Sequence, residues 1–189
     1  MMKHRAKKRA RGARVTSSKV LFQGRVFALK RERVSEPGGI QATREIIVHP
    51  GSAVVLPVFP DGKILLIRQY RHAAGQYLWE LVAGHKEPDE SFLEGARREL
   101  QEEAGYDARR IRKLLEFFPS PGLLGERMEI FVAEGLSKIA ARPEDDEKIT
   151  SRTLPLRQAL RWIRSGKIRD GKSVAGILYY AQFTARSKR

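Results

Sequence analysis

The chain has 189 residues, about one ordinary domain: enough for a sizeable core, too little for two full enzymatic domains. Apolar residues make up 41% and charged residues 31%, the balance of a soluble globular protein rather than a disordered one. The absence of cysteine excludes a disulfide scaffold, a cysteine nucleophile and a thiolate zinc site, and the formal charge is +15.

Lys3, Arg5, Lys7, Lys8, Arg9, Arg11 and Arg14 crowd the amino terminus with no acid among them. A like-charged run with almost no apolar side chains cannot offset its ordering entropy, so residues 1–16 read as a disordered basic arm. Such an arm could hold nucleic acid through nonspecific phosphate contacts; the simpler reading is a solvated tail. A globular domain over 17–185 follows, then a basic tail at 186–189 carrying Arg186, Lys188 and Arg189.

Val20–Val34 has the pattern of an antiparallel strand pair, closed by a turn at Ser35–Gly39. Arg44–His49 and Ala53–Phe59 read as further strands, and Pro60-Asp61-Gly62 predicts a hairpin between Ala53–Phe59 and Lys63–Tyr70. Ala53–Phe59 is also the longest apolar run, far short of a membrane span. No apolar stretch follows the basic start, so no secretory signal is expected and the default compartment is the cytoplasm.

The strongest helix runs from Ser91 to Ala104: Ser91 and Glu94 form a capping box, and Gly105 stops it. Leu93, Ala96, Leu100 and Ala104 make its packing stripe. Two strands follow near Ile111–Phe118 and Arg127–Ala133. Pro155 opens a helix that Gly166 ends, and a last helix spans Ser173–Ala185. Runs of strands with a few helices between them argue an α+β fold with a sheet sandwiched by helices.

Eight of the 22 acids fall between Glu80 and Glu103. Acids packed so closely in a basic protein need something positive among them, and a divalent cation is the usual answer. Glu99, Glu102 and Glu103 stand at i, i+3 and i+4 on the capped helix, so they share one stripe beside the packing face. Three carboxylates there supply the oxygen ligands that Mg²⁺ requires, although three glutamates alone more often make an exposed acidic face.

The full spacing overturns that plainer reading. Gly84, five residues, Glu90, seven residues, then Arg98-Glu99-Leu100-Gln101-Glu102-Glu103-Ala104-Gly105-Tyr106 resembles the signature of the Nudix hydrolases without a gap. The resemblance extends to the ADP-ribose and nucleotide-sugar pyrophosphatase branch through Gln69-Tyr70-Arg71, Tyr77-Leu78-Trp79-Glu80-Leu81, Ser120-Pro121-Gly122, Glu126-Arg127 and Asp145-Asp146-Glu147-Lys148-Ile149. Two positions depart: Val82 stands where the branch has proline, and Leu123-Leu124 where it has an aromatic residue and serine, so Leu124 has no hydroxyl to donate.

The resemblance implies an α/β/α sandwich around a mixed β-sheet with an N-terminal antiparallel strand pair. It implies Mg²⁺-assisted attack of water on the diphosphate of a nucleotide sugar, with Mn²⁺ as the alternative cation. Glu99, Glu102, Glu103 and the carbonyl of Ala83 are then the metal ligands, and Glu147, Glu102 and Glu103 the catalytic residues. Glu144, Asp145 and Asp146 rival Glu147 as base. Arg71, Arg44, Trp79, Glu80 and Glu126 are substrate-binding candidates, with Trp79 equally readable as core. Gly84, Glu90, Arg98 and Gly105 are structural, Arg98 orienting the glutamates and Glu90 tying the loop to the helix. In the branch the N-terminal region is exchanged between subunits, which implies a homodimer. A Nudix enzyme of RNA ends, suggested by the arm alone, and a noncatalytic nucleotide-binding domain are the alternatives.

Gly166-Lys-Ile-Arg-Asp-Gly171-Lys172-Ser173 fits the P-loop pattern letter for letter. A P-loop follows a buried strand, whereas an amphipathic helix precedes this one. Gly166 reads more simply as a helix stop and Ser173 as the next helix's cap. His4, His49, His72 and His85 show no ligand spacing, and only His85, next to Gly84, lies by the motif.

Overall fold

A computed structural model describes residues 12–141 and 148–185. Most of the basic arm, the C-terminal tail, and Glu144, Asp145, Asp146 and Glu147 lie outside the described residues.

The amino-terminal strands form an antiparallel meander: β1 (Arg14–Gln23), β2 (Ala28–Glu36) and β3 (Ile40–Val48). The expected strand pair is there, widened to three strands. β1 begins at Arg14, inside the segment assigned to the arm, because its backbone pairs with β2 from Arg14↔Ser35 onward. This sheet joins the body where Ile47 donates to the Leu123 carbonyl (2.9 Å) and Gly125 donates to the Ile47 carbonyl (2.8 Å).

Two sheets make the body. A mixed sheet has the order β7 (Val82–His85), β4 (Ser52–Pro57), β9 (Met128–Lys138), β8 (Tyr106–Phe117), with β4 and β9 parallel. An antiparallel sheet has the order β10 (Thr150–Pro155), β5 (Lys63–Arg71), β6 (Gln76–Glu80). The hairpin predicted between the third and fourth apolar runs is a correction: β4 and β5 belong to different sheets. The turn itself forms, with Gly62 donating to Phe59 and Phe59 to Lys63, both 2.9 Å, but pairing ends at the Val58↔Ile64 bridge. The physical reason is burial. All of β4 is buried, Ala53 and Val55 on one face and Val54 and Leu56 on the other, so each face needs its own layer.

The helices supply those layers. On one side α1 (Phe92–Ala104) packs Ala96, Leu100 and Ala104 against Ala53, Val55 and Val82. On the other, α2 (Leu156–Arg164) and α3 (Gly171–Phe183) cover Val54, Leu56, Leu81 and Ile130 with Ala159, Trp162, Ile177 and Tyr180. The result is an α/β/α sandwich of the α+β class. Fully burying a side chain such as Leu56 or Leu100 contributes about 1.5–3 kcal/mol, so both layers are needed to hold β4 in place.

Candidate active site

The carboxylates rest on a well-specified helix. Ser91 accepts from the Glu94 amide (3.2 Å) and Glu94 from the Ser91 amide (2.7 Å), the full capping box. Gly105 ends the helix at φ +68°, which only glycine adopts cheaply. Leu93, assigned by pattern to the packing stripe, is exposed, and Phe92 packs against the core instead.

Glu99 and Glu103 are buried, 7% and 6% exposed, on the edge of α1 facing β7. Glu103 accepts from the Ala83 amide at 3.0 Å. Gly84 leaves room for Glu99: a Cβ there would stand 1.8 Å from its Oε1. Together with His85, Arg98 and Glu102 these groups line a hollow of about 80 Å³. Arg98 donates to Glu99 (2.7 Å), Glu102 (2.9 Å) and the His85 carbonyl (3.1 Å). Its remaining donors reach Glu90, which in turn accepts from the Glu87 amide (2.8 Å) and so ties loop to helix. Burial would raise the Glu90 carboxyl, but the Arg98 hydrogen bonds outweigh it and hold it low.

Oxygen donors around a small hollow, with a glycine cleared to admit one of them, fit a hard divalent cation in chemistry. Among the described residues no three acidic or histidine side chains converge on a ready-made ligand point. Glu99 and Glu102 instead turn towards the Arg98 guanidinium, which supplies the positive charge.

Beside this hollow lies a second ionic group. Glu80 is fully buried; Arg71 grips it with a two-bond fork (2.9 and 2.7 Å), and Lys172 reaches it at 2.5 Å. Burial alone would raise the Glu80 carboxyl, but its two cationic partners hold it below the usual range. Glu103 lies close enough to favour the Arg71 charge as well, which ties this group to the carboxylate hollow. Lys172 is anchored by Asp170 (3.0 Å), and Asp170, rather than Ser173, caps α3. The Ser173 hydroxyl donates to Asp170 (2.5 Å) and accepts from the Leu81 amide (2.7 Å). The P-loop look-alike is therefore a left-handed Gly166 (φ +72°) past one helix and the cap of the next.

Several candidates fall elsewhere. Glu80 stands beside the hollow with its carboxylate taken by Arg71 and Lys172. Trp79 packs on Trp162 (centroids 5.4 Å) as part of the core. Arg44 sits on β3, paired bidentately with Glu36 at 2.9 Å, away from the α1 carboxylates in the chain's own contacts. Glu126 is buried at the foot of β4, where the Ser52 hydroxyl donates to it and His49 lies 3.7 Å away. Lys172 was not foreseen as a site residue, because its partner stands 92 positions earlier. Gln69 was seen only as part of a motif. It is 5% exposed, on the same face of β5 as Arg71, and its Nε2 donates to nothing among the described residues.

A sheet edge opposed by a helix carrying buried glutamates, over a glycine that makes room for them, defines a Nudix site. Residues 48–175 match the family model of the NUDIX domain, and the chain belongs to that family; it is a Nudix hydrolase. It is 36% identical over 161 residues to the ADP-ribose pyrophosphatase of Bacillus subtilis (strain 168), covering 84% of this chain and 87% of that protein. It is 37% identical over 161 residues to the methanol dehydrogenase activator of Bacillus methanolicus, with the same coverage of 84% and 87%. The ADP-ribose pyrophosphatase of Mycobacterium tuberculosis (strain ATCC 25618 / H37Rv) is 35% identical over 166 residues, 86% of this chain and 80% of that one. The crystal structure of an ADP compounds hydrolase shares the fold, with a TM-score of 0.80 at 21% identity over 96% of this chain and 99% of the other.

Proposed function

We propose that this Nudix hydrolase cleaves the diphosphate of ADP-ribose or a related nucleoside diphosphate sugar, yielding a nucleoside monophosphate and a sugar phosphate. The observation that carries the reading is the pair of buried glutamates, Glu99 and Glu103, packed against the Gly84 backbone. Glu99, Glu102, Glu103 and the Ala83 carbonyl would hold Mg²⁺, or Mn²⁺ in its place. Once bound, the cation offsets the charge of the diphosphate and eases deprotonation of the attacking water near neutral pH. With a cation held there, Arg98 would keep Glu90 as its carboxylate partner, leaving Glu99 and Glu102 as ligands. Arg71, fixed by Glu80 and Lys172, keeps 38% of its side chain exposed and offers that edge to a phosphate. Glu147 is assigned as the base.

The named activity of two relatives supports ADP-ribose as substrate. Leu124 lacks the donor of the usual serine, and losing one such contact costs about 0.5–1.5 kcal/mol, about two- to thirteen-fold in binding. ADP-ribose is therefore expected to turn over with a raised KM, alongside other diphosphate sugars. The enzyme would act as a homodimer, its partner copy covering the exposed apolar residues of β1, and in the cytoplasm.

A panel of ADP-ribose, GDP-mannose, dGTP and ATP with Mg²⁺, read as nucleoside monophosphate formed after separation of the nucleotides by ion exchange, tests the assignment. Turnover of diphosphate sugars with poor use of triphosphates is expected. Cleavage of dGTP or ATP at least about tenfold more efficiently than every diphosphate sugar would overturn the substrate class and leave the family intact.

A further inference from the structure

From Lys148 onward Asp170 is the only acid, against Lys148, Arg152, Arg157, Arg161, Arg164, Lys167, Arg169 and Lys172 before residue 173. Asp170 and Lys172 are bound to each other and to the buried Glu80 group. Among the described residues none of Arg152, Arg157, Arg161, Arg164, Lys167 and Arg169 has an ion-pair partner, and all are exposed. Arg157, Arg161 and Arg164 recur at i, i+4 and i+7, which places them on one stripe of α2 about 10 Å long.

The stripe faces away from the core, and Trp162, on the buried side of α2, carries two further cations against its ring. Lys167 lies 3.9 Å and Arg152 5.5 Å from the Trp162 ring, on the helix carrying the stripe. Trp162 meets Trp79, which stands opposite Arg68 in the β5–β6 ladder. The Arg68 guanidinium covers Tyr77 at 4.7 Å, and Tyr77 meets Tyr70 edge-on at 5.4 Å. Both tyrosines are about half exposed, 49% and 51%, although aromatic rings are expensive to leave in water. Arg68, Tyr70 and Tyr77 occupy the face of β5–β6 opposite Gln69 and Arg71, so this surface is separate from the hydrolytic site.

We propose that these two neighbouring features, the outward arginines of α2 and the sheet face carrying Arg152, Arg68, Tyr77 and Tyr70, together bind single-stranded nucleic acid. Cations without acidic partners attract a phosphodiester backbone, and the exposed rings beside Arg68 offer stacking surfaces for unpaired bases. A duplex keeps its bases stacked within and would gain only the phosphate contacts, as would a lipid headgroup. The surface is independent of the N-terminal arm and of the diphosphate chemistry.

The test is fluorescence anisotropy of a labelled oligouridylate of about 20 nucleotides with the full chain over a salt series. Replacing Arg157, Arg161 and Arg164 together by Gln should weaken binding at least about tenfold and lower the salt slope by about 2, since each single-strand phosphate contact contributes about 0.7. Tyr77→Leu should weaken oligouridylate binding at unchanged slope and leave heparin binding as it was. ADP-ribose turnover and Tm should not change in the α2 variant. Wild-type affinity in that variant would overturn the proposal. So would an equal loss when Lys19, Arg25 and Arg33 are replaced by Gln, which would make net charge the cause. Binding of phosphatidylglycerol vesicles that oligouridylate does not displace would assign the surface to membranes instead.

Discussion

Glu103 and Glu80 are both buried carboxylates near one hollow, yet they are expected to fail in different ways. Glu103→Gln keeps the shape and removes a charge proposed to hold the cation, so kcat should fall at least about 100-fold with the fold intact. Near wild-type turnover at saturating Mg²⁺ would refute the metal role. Glu80→Gln instead strands Arg71 and Lys172 around a neutral amide. Breaking a buried ionic group of this kind costs about 3 kcal/mol, and in a chain of this size Tm should fall by about 6–12 °C. The sign with pH follows from the lowered Glu80 carboxyl. Its pairing stabilises fully above the unfolded glutamate value and is lost as pH falls through the lower folded value. The Tm gap between wild type and Glu80→Gln should thus be widest near neutrality and close in acid. A gap that widened on acidification would contradict the ionic account.

At the scale of elements, α1 and the Gly84 strand carry the site. Ser91→Ala removes half of the capping box and should cost about 1 kcal/mol, about 2–4 °C in Tm, without changing KM. Gly84→Ala forces Glu99 to move, because its new methyl would occupy the place of the carboxylate. The Mg²⁺ concentration for half-maximal activity should rise at least about tenfold while Tm changes little. An unchanged metal requirement would show that Glu99 is not a ligand. The same elements show what the sequence could reveal. The helix, its box and its glycine stop are encoded within a few residues, so their bounds were legible to within one residue of Phe92–Ala104. β4 was legible as a strand but not in its partner, because a turn chooses where the chain bends and not which sheet receives it. β6, β7 and β10 carry no alternation of apolar and polar residues, and none was legible as a separate strand. Glu80 and Trp79 were marked by motif alone, and only burial distinguishes a side chain that faces a ligand from one that supports it.

At the scale of the molecule, the N-terminal meander is the part least able to stand alone. Every residue of β1 is exposed, and Val20 and Phe22 keep 49% and 54% of their surfaces in water. A covering partner copy predicts a mass by sedimentation or light scattering near twice the 21.5 kDa of one chain. A mass near that of one chain at micromolar concentration would contradict it. Charge was the other property legible from the sequence alone, by position but not by pairing. The densest basic run is the arm, and the second, from Lys148 to Lys172, shows its unpaired members only once the fold assigns Asp170 and Lys172 to the Glu80 group.

The link from Lys172 and Ser173 to Glu80 and Leu81 also sets an order in time. During synthesis the glutamate helix and its glycine strand emerge well before the residues that neutralise Glu80 and hold the Leu81 amide, which follow 92 positions later. Until then Glu80 has Arg71 but lacks the lysine that completes its ionic group. A nascent chain halted before Asp170 would therefore carry the whole Nudix signature with Glu80 paired to Arg71 alone.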